Sequence, residues 1–324
     1  MTRFLLLLAF ALSLPSWTGG AWAQEPHRVP VIGLLMLSAG PDHSIFVAMR
    51  KGLHDLGYVE GGSYRIEYRG ANGQADRLHP LAQELVALKV DVIVTGTDDG
   101  TRAARQATGT IPIVAGFFEE DPVSSGFVRS FNRPGGNITG VYTHIAELGA
   151  KRLELLKETL PQLTRVAVLW DSQGRAELAT LMRAAQSLGI QLLPVELKAP
   201  YDLASVFQSA KRQGAGAVQV VPSPELYING ARLGAQALES GLPLIGETRN
   251  LTEAGGLMSY SPEPEEAFYR VGQLIDRLLK GAKASELPIE QMESIKLVVN
   301  LKTAKALRLK IPPSVSGRAD ELIR

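Results

Sequence analysis

Residues 31–37 read VIGLLML and residues 164–170 read TRVAVLW. Each is a short, almost unbroken apolar run rich in branched side chains, the pattern of a strand buried on both faces. Behind the first run, residues 45–56 carry apolar side chains at helical spacing. The alternation continues with a strand over 64–68, a helix over 78–88, a strand over 90–95, a helix over 102–107 and a strand over 111–115. The second run starts the plan again: helix 176–188, strand 190–197, helix 203–212, strand 217–221, helix 231–238 and strand 242–245. Strands that alternate with amphipathic helices imply a parallel sheet covered on both sides.

The two halves also echo one another locally. Leu56-Gly57-Tyr58 closes the first helix of one half, and Leu188-Gly189-Ile190 closes its counterpart. Ile111-Pro112-Ile113-Val114 matches Leu242-Pro243-Leu244-Ile245 at nearly the same spacing. The expected fold class is therefore α/β, with two doubly wound parallel-sheet lobes joined by a hinge. A mature chain of about 300 residues sits near the upper limit for a single core, which also favours two domains. Lobe 1 is expected over 24–142 plus about 261–288, and lobe 2 over 143–260 plus about 289–324. Gly140-Val141-Tyr142 and 256–260 are candidate hinge strands, with edge strands within one lobe as the other reading.

The N-terminus reads as an export signal: Arg3, an apolar run over 4–14, then small residues ending in Ala21-Trp22-Ala23. The run falls short of the roughly 20 residues that span a bilayer. Cleavage after Ala23 leaves Gln24 as the mature start, free in the periplasm and not membrane-embedded. The chain has no cysteine, so neither a disulfide nor a lipid-accepting thiol is available.

Charge narrows the partners. The chain holds 34 basic and 33 acidic residues, and removal of the leader with Arg3 leaves them balanced. No basic patch of the kind nucleic acid requires is visible. Lys151, Arg152 and Lys157 alternate with Glu147, Glu154 and Glu158, the spacing of ion pairs along a wet helix face. Catalysis finds no support: there is no cysteine nucleophile, no G-x-S-x-G elbow, and no histidine pairing of the metal-binding type among His27, His43, His54, His79 and His144. No enzyme activity, cofactor or metal is expected.

At this point the chain resembles a known family, the periplasmic substrate-binding components of ABC importers of the tryptophan-binding-like type. The matching blocks are GLHDLGYVEGG (52–62), Asp121-Pro122-Val123, RPGGNITG (133–140), LGAKRLELLK (148–157), AGGLMSY (254–260) and VVNLKTAKAL (298–307). The resemblance implies the type I periplasmic-binding-protein fold and a small organic solute, with aromatic amino acids as precedent. It also implies delivery to an ABC transporter permease with its ATPase. A periplasmic receptor that feeds a signalling partner is the alternative; in LacI-like regulators of the same core, a helix-turn-helix occupies the place taken here by the export signal.

In open α/β sheets, ligands bind beyond the carboxyl ends of the strands. Those loops nominate Ser38, Thr95-Gly96-Thr97 with Asp98, and Phe117 in lobe 1, and Trp170, Asp171, Ser223 and Glu247 in lobe 2. Thr95-Gly96-Thr97 stands where the resembled family has T-G-G and offers small hydroxyls and backbone N–H groups to a carboxylate. The family often has proline where this chain has Asp99. Thr97 and Asp98 are equally readable as plain helix caps, and so is Asp121. Asp171 or Glu247 would hold an ammonium group. Phe117, Trp170 or Tyr260 would cover an apolar body, although Phe117 and Tyr260 fit simple hinge packing as well. A monomer that binds one small-molecule ligand is expected.

Overall fold

The computed structural model describes residues 28–324 apart from 144, 172–173, 199–200 and 293; the export signal expected over 1–23 lies outside the described residues. The first half runs β1 (Val31–Met36), α1 (Ser44–His54), β2 (Arg65–Gly70), α2 (Leu78–Ala87), β3 (Val92–Thr95), α3 (Asp98–Ala107), β4 (Ile113–Phe118) and β5 (Ile138–Tyr142). The second runs α4 (Ile145–Thr159), β6 (Arg165–Trp170), α5 (Arg175–Ser187), β7 (Gln191–Glu196), α6 (Leu203–Arg212), β8 (Ala217–Val220), α7 (Pro224–Ile228), α8 (Gly230–Ser240), β9 (Leu244–Gly246), α9 (Arg249–Glu253) and β10 (Met258–Ser261). The chain closes with α10 (Pro264–Leu279), β11 (Glu290–Gln291), β12 (Lys296–Asn300), α11 (Leu301–Ala306), α12 (Pro313–Ser316) and β13 (Glu321–Ile323).

Two sheets result. One has the order β11-β5-β4-β3-β1-β2, the other β13-β12-β10-β9-β8-β6-β7. The order 5-4-3-1-2 recurs as 10-9-8-6-7, the duplication suggested by the sequence echoes. Within those shared strands every pairing is parallel; β12 runs antiparallel to β10. Each sheet is covered on both faces. Phe46, Met49, Phe268 and Val271 pack on one side of the first sheet, and Leu78, Leu85, Phe118 and Phe127 on the other. Leu153, Leu156 and Met258 line one side of the second, and Phe207, Leu233 and Leu251 the other. These side chains are nearly all fully buried, which is why the strands read as unbroken apolar runs.

The chain passes between the sheets after β5, after β10 and between β11 and β12. Helix α4 therefore follows β5 but packs on the second sheet, and α10 follows β10 but packs on the first. The third passage falls later than the 288/289 boundary expected from sequence. Glu290 and Gln291 pair with Val141 and Tyr142, and the Met292 N–H donates to the Tyr142 carbonyl, so the first sheet keeps the chain through Met292. Two residues of edge strand carry no apolar period to betray them.

The RPGGNITG block does structural work. Gly135 takes φ +77°, and the Asn137 amide donates to the Thr108 and Ile111 carbonyls, tying the entry of β5 to the turn before β4. At Gly140 a Cβ would sit 2.2 Å from the Ala115 carbonyl oxygen, so only glycine lets β5 lie this close to β4.

Candidate functional site

A cavity of about 410 Å³ lies between the two sheets, at the carboxyl ends of their strands. Lobe 1 contributes the loop after β1 (Ser38, Ala39), the start of α3 (Gly96 to Asp99) and the end of β4 (Phe117, Glu119). Lobe 2 contributes Glu177 on α5, Ser223 and Tyr227 around α7, and Glu247 after β9. Met36, Ile45 and Ile228 add apolar wall. The lobes touch across it: the Ser38 hydroxyl donates to Glu225 Oε1 at 2.6 Å, and the rings of His43 and Tyr227 stand 5.5 Å apart.

Of the residues nominated from sequence, Ser38, Gly96, Thr97, Asp98, Phe117, Ser223 and Glu247 stand in the cavity wall. The others stand elsewhere. Thr95 is fully buried, its hydroxyl paired with that of Thr101 at 2.6 Å. Asp121 is exposed and accepts from the Val123 and Ser124 N–H groups, capping a turn of its own. Trp170 and Tyr260 pack against the core of the second lobe. Asp171 is buried and accepts from the Ser223 hydroxyl at 2.5 Å and from the Gly174 N–H, so it braces the loops rather than facing the cavity. The cap read at Thr97 exists, its Oγ1 accepting from the Gly100 N–H, and Ser223, nominated only as a ligand contact, also caps its helix by accepting from the Leu226 N–H.

The model of a family described as ABC transporter substrate binding protein matches residues 37–323. The chain belongs to that family. A tyrosine-binding protein of Clostridioides difficile (strain R20291) is 24% identical over 261 residues, covering 79% of this chain and 74% of that protein. Among solved structures, an ABC domain in complex with L-Trp from Streptococcus pneumonia superposes with a TM-score of 0.80 at 23% identity, covering 91% of this chain and all of that one. A solute binding protein of an ABC transporter from Rhodopseudomonas palustris BisB5, in complex with 3,4-dihydroxy benzoic acid, gives 0.54 at 21% identity over 75% of this chain and 73% of that one. These likenesses place the chain in the two-lobed type I periplasmic-binding-protein fold.

The cleft of this ABC transporter substrate binding protein is rich in carboxylates. Burial pushes Asp98 up to about 6, although its Oδ2 accepts from the Glu120 N–H at 3.1 Å. Burial, reinforced by the charges of Asp98 and Glu247, pushes Glu119 up to about 8. Glu247 is pushed up to about 7 by burial, with Arg152 pulling it down and Asp171 pushing it up. Burial raises Glu177 against the pull of Arg152. The same burial lowers His43, against the pull of Glu265, and so favours its neutral ring.

Arg152 overturns the wet-face reading of its helix. It is fully buried, its Nε donates to the Tyr260 carbonyl at 2.9 Å, and Nη1 lies 3.5 Å from Glu177 Oε1. Its neighbours Lys151 and Glu154 do form the exposed pair expected. Glu119, Glu177 and Tyr227 were not nominated from sequence. Glu119 belongs to the acidic run Glu119-Glu120-Asp121, which by sequence could mimic a carboxylate pair or bind a cation but more often is plain solvated loop. Glu177 and Tyr227 lie inside helices, one turn past the strand-end loops where open α/β sheets place their ligands.

Proposed function

We propose that this substrate binding protein is the periplasmic, solute-capturing component of an ABC importer, which closes its lobes on one small organic solute and hands it to a permease with its ATPase. The observation that supports this best is a cavity of small-molecule size whose wall is shared by both lobes. A solute seated there touches both lobes only when they are together, which supplies the differential affinity that closure requires. The carboxylates of the wall fit an amine, and Phe117, Tyr227 and Ile45 fit an aromatic or apolar body. The tyrosine named for one relative and the L-Trp bound by another agree with an aromatic amino acid or a solute of that size. In this reading Ser38, Gly96, Thr97, Asp98, Phe117, Ser223 and Glu247, joined by Glu119, Glu177 and Tyr227, surround the solute.

The export reading belongs to the same proposal: the mature monomer begins at Gln24 in the periplasm and returns its solute unchanged. Deleting the gene tests the whole. Cells that lack the chain should lose uptake of the labelled solute recovered from it, and re-expression should restore uptake. Undiminished uptake would remove the importer role.

A further inference from the structure

Next to the cleft lies a second cavity, of about 360 Å³, whose lining is mostly polar and includes Thr248, Arg249, Glu253, Glu265 and Lys296. His43 and Tyr227 stand in the walls of both cavities, one ring on each lobe. Resting on the solute-capture reading above, we propose that these two rings form the partition that sets how long a solute the cleft accepts: a single aromatic or apolar unit, with a polar extension shut out of the space beyond.

The rings face each other with centroids 5.5 Å apart and planes tilted by 40°. The main chain holds each from its own side. His43 precedes α1, its N–H donating to the Gly40 carbonyl and its Nδ1 accepting from the Ile45 N–H. Tyr227 lies on α7, whose Leu226 is buried in the core of the second lobe and whose first turn is capped by Ser223. Glu247, Ser261, Pro262 and Pro264 complete the boundary that the two cavities share. Ser261 donates to the Glu247 carbonyl, and the prolines fix their φ angles, so that part is set by the main chain. The rings are the part that side-chain chemistry sets.

Because one ring comes from each lobe, the partition is assembled as the lobes meet. A solute of one unit lies on the cleft side and leaves the rings paired. A longer solute must hold them apart, which removes their contact from the closed state and with it part of the differential affinity that closure requires. Length is thus read at closure, by rings rather than by the charge of the cleft.

The test titrates the mature protein, stripped of solute by unfolding and refolding, with tyrosine and with three polar extensions of it: glycyltyrosine, tyrosylglycine and tyrosine O-glucoside. These lengthen it at the amine, the carboxylate and the ring. Calorimetry should find each extended probe roughly tenfold or more weaker than tyrosine in the wild type and in Tyr227→Phe, which keeps the ring. In Tyr227→Ala, or in His43→Ser, which retains a capping oxygen for α1, at least one extended probe should come within about threefold of tyrosine. A loss of fold would weaken all four probes alike and leave their ratios unchanged. An extended probe that matches tyrosine in the wild type, or a gap that persists in both ring-deleted variants, overturns the partition and leaves the cleft as a solute site. Binding of none of the four by the wild type overturns the aromatic-solute reading on which the partition rests.

Discussion

Arg152 shows how one side chain can tie a lobe to its site. A fully buried guanidinium stays charged, so it needs the Tyr260 carbonyl and the Glu177 carboxylate around it. Removing one partner of a buried pair costs more than forming the pair gains, because the survivor is left uncompensated. Arg152→Ala should therefore lower stability by about 3–5 kcal/mol at pH 8 and by less at pH 5, where the stranded carboxylates take up protons. Urea unfolding at the two pH values checks this, and equal losses at both would contradict the pairing. The cleft acids give a second pH effect. Glu119, Glu247 and Asp98 titrate at about 8, 7 and 6 when folded, against roughly 4 in the unfolded chain. Between those values the folded state binds more protons, so the slope of unfolding free energy with pH is negative. Stability present below about pH 4 is lost progressively as pH rises through 6 to 8. Glu119→Gln should flatten the upper part of that decline and stabilise the empty protein at pH 8. An unchanged slope would mean that Glu119 is ionised in the folded state.

Among the elements, the contact between α1 and α10 holds the first lobe together after the chain has left it and returned. Gly52 and Gly272 face each other there: a Cβ on Gly272 would lie 2.6 Å from the Met49 carbonyl oxygen, and one on Gly52 would lie 2.4 Å from that of Tyr269. Gly272→Ala gains up to about 1 kcal/mol of helix propensity. Overpacking against rigid backbone costs roughly 1–3 kcal/mol, so the net change should be destabilising. A fall in melting temperature is expected, and a rise would show that the helices part easily. The elements were legible because their signals are local. VIGLLML and TRVAVLW announce buried strands, and the lobes follow from their repetition. What escaped was set by tertiary contact. The edge strand at Glu290–Gln291 has no pattern of its own. Arg152 looks like a surface residue until α4 is laid on the second sheet. Asp171 and Glu247 are indistinguishable strand-end acids until packing turns one onto Ser223 and the other into the cleft. Thr97 was legible as a cap and Ser223 only as a ligand contact, and both cap a helix and line the cavity at once.

At the scale of the molecule, two similar lobes are joined by short passages after β5, after β10 and between β11 and β12, and the cavity lies between them. Few residues need to change backbone angle for the lobes to separate, as in hinge closure around a ligand. The contacts that cross the cleft, Ser38 with Glu225 and His43 with Tyr227, are modest. The most direct measurement is small-angle X-ray scattering of the mature protein, stripped of solute and then resupplied with the compound that it captures. The account predicts a smaller radius of gyration with solute bound, one solute per chain, and a loss of this compaction in Glu247→Ala. An unchanged radius on saturation, or compaction that survives in Glu247→Ala at wild-type affinity, would contradict it.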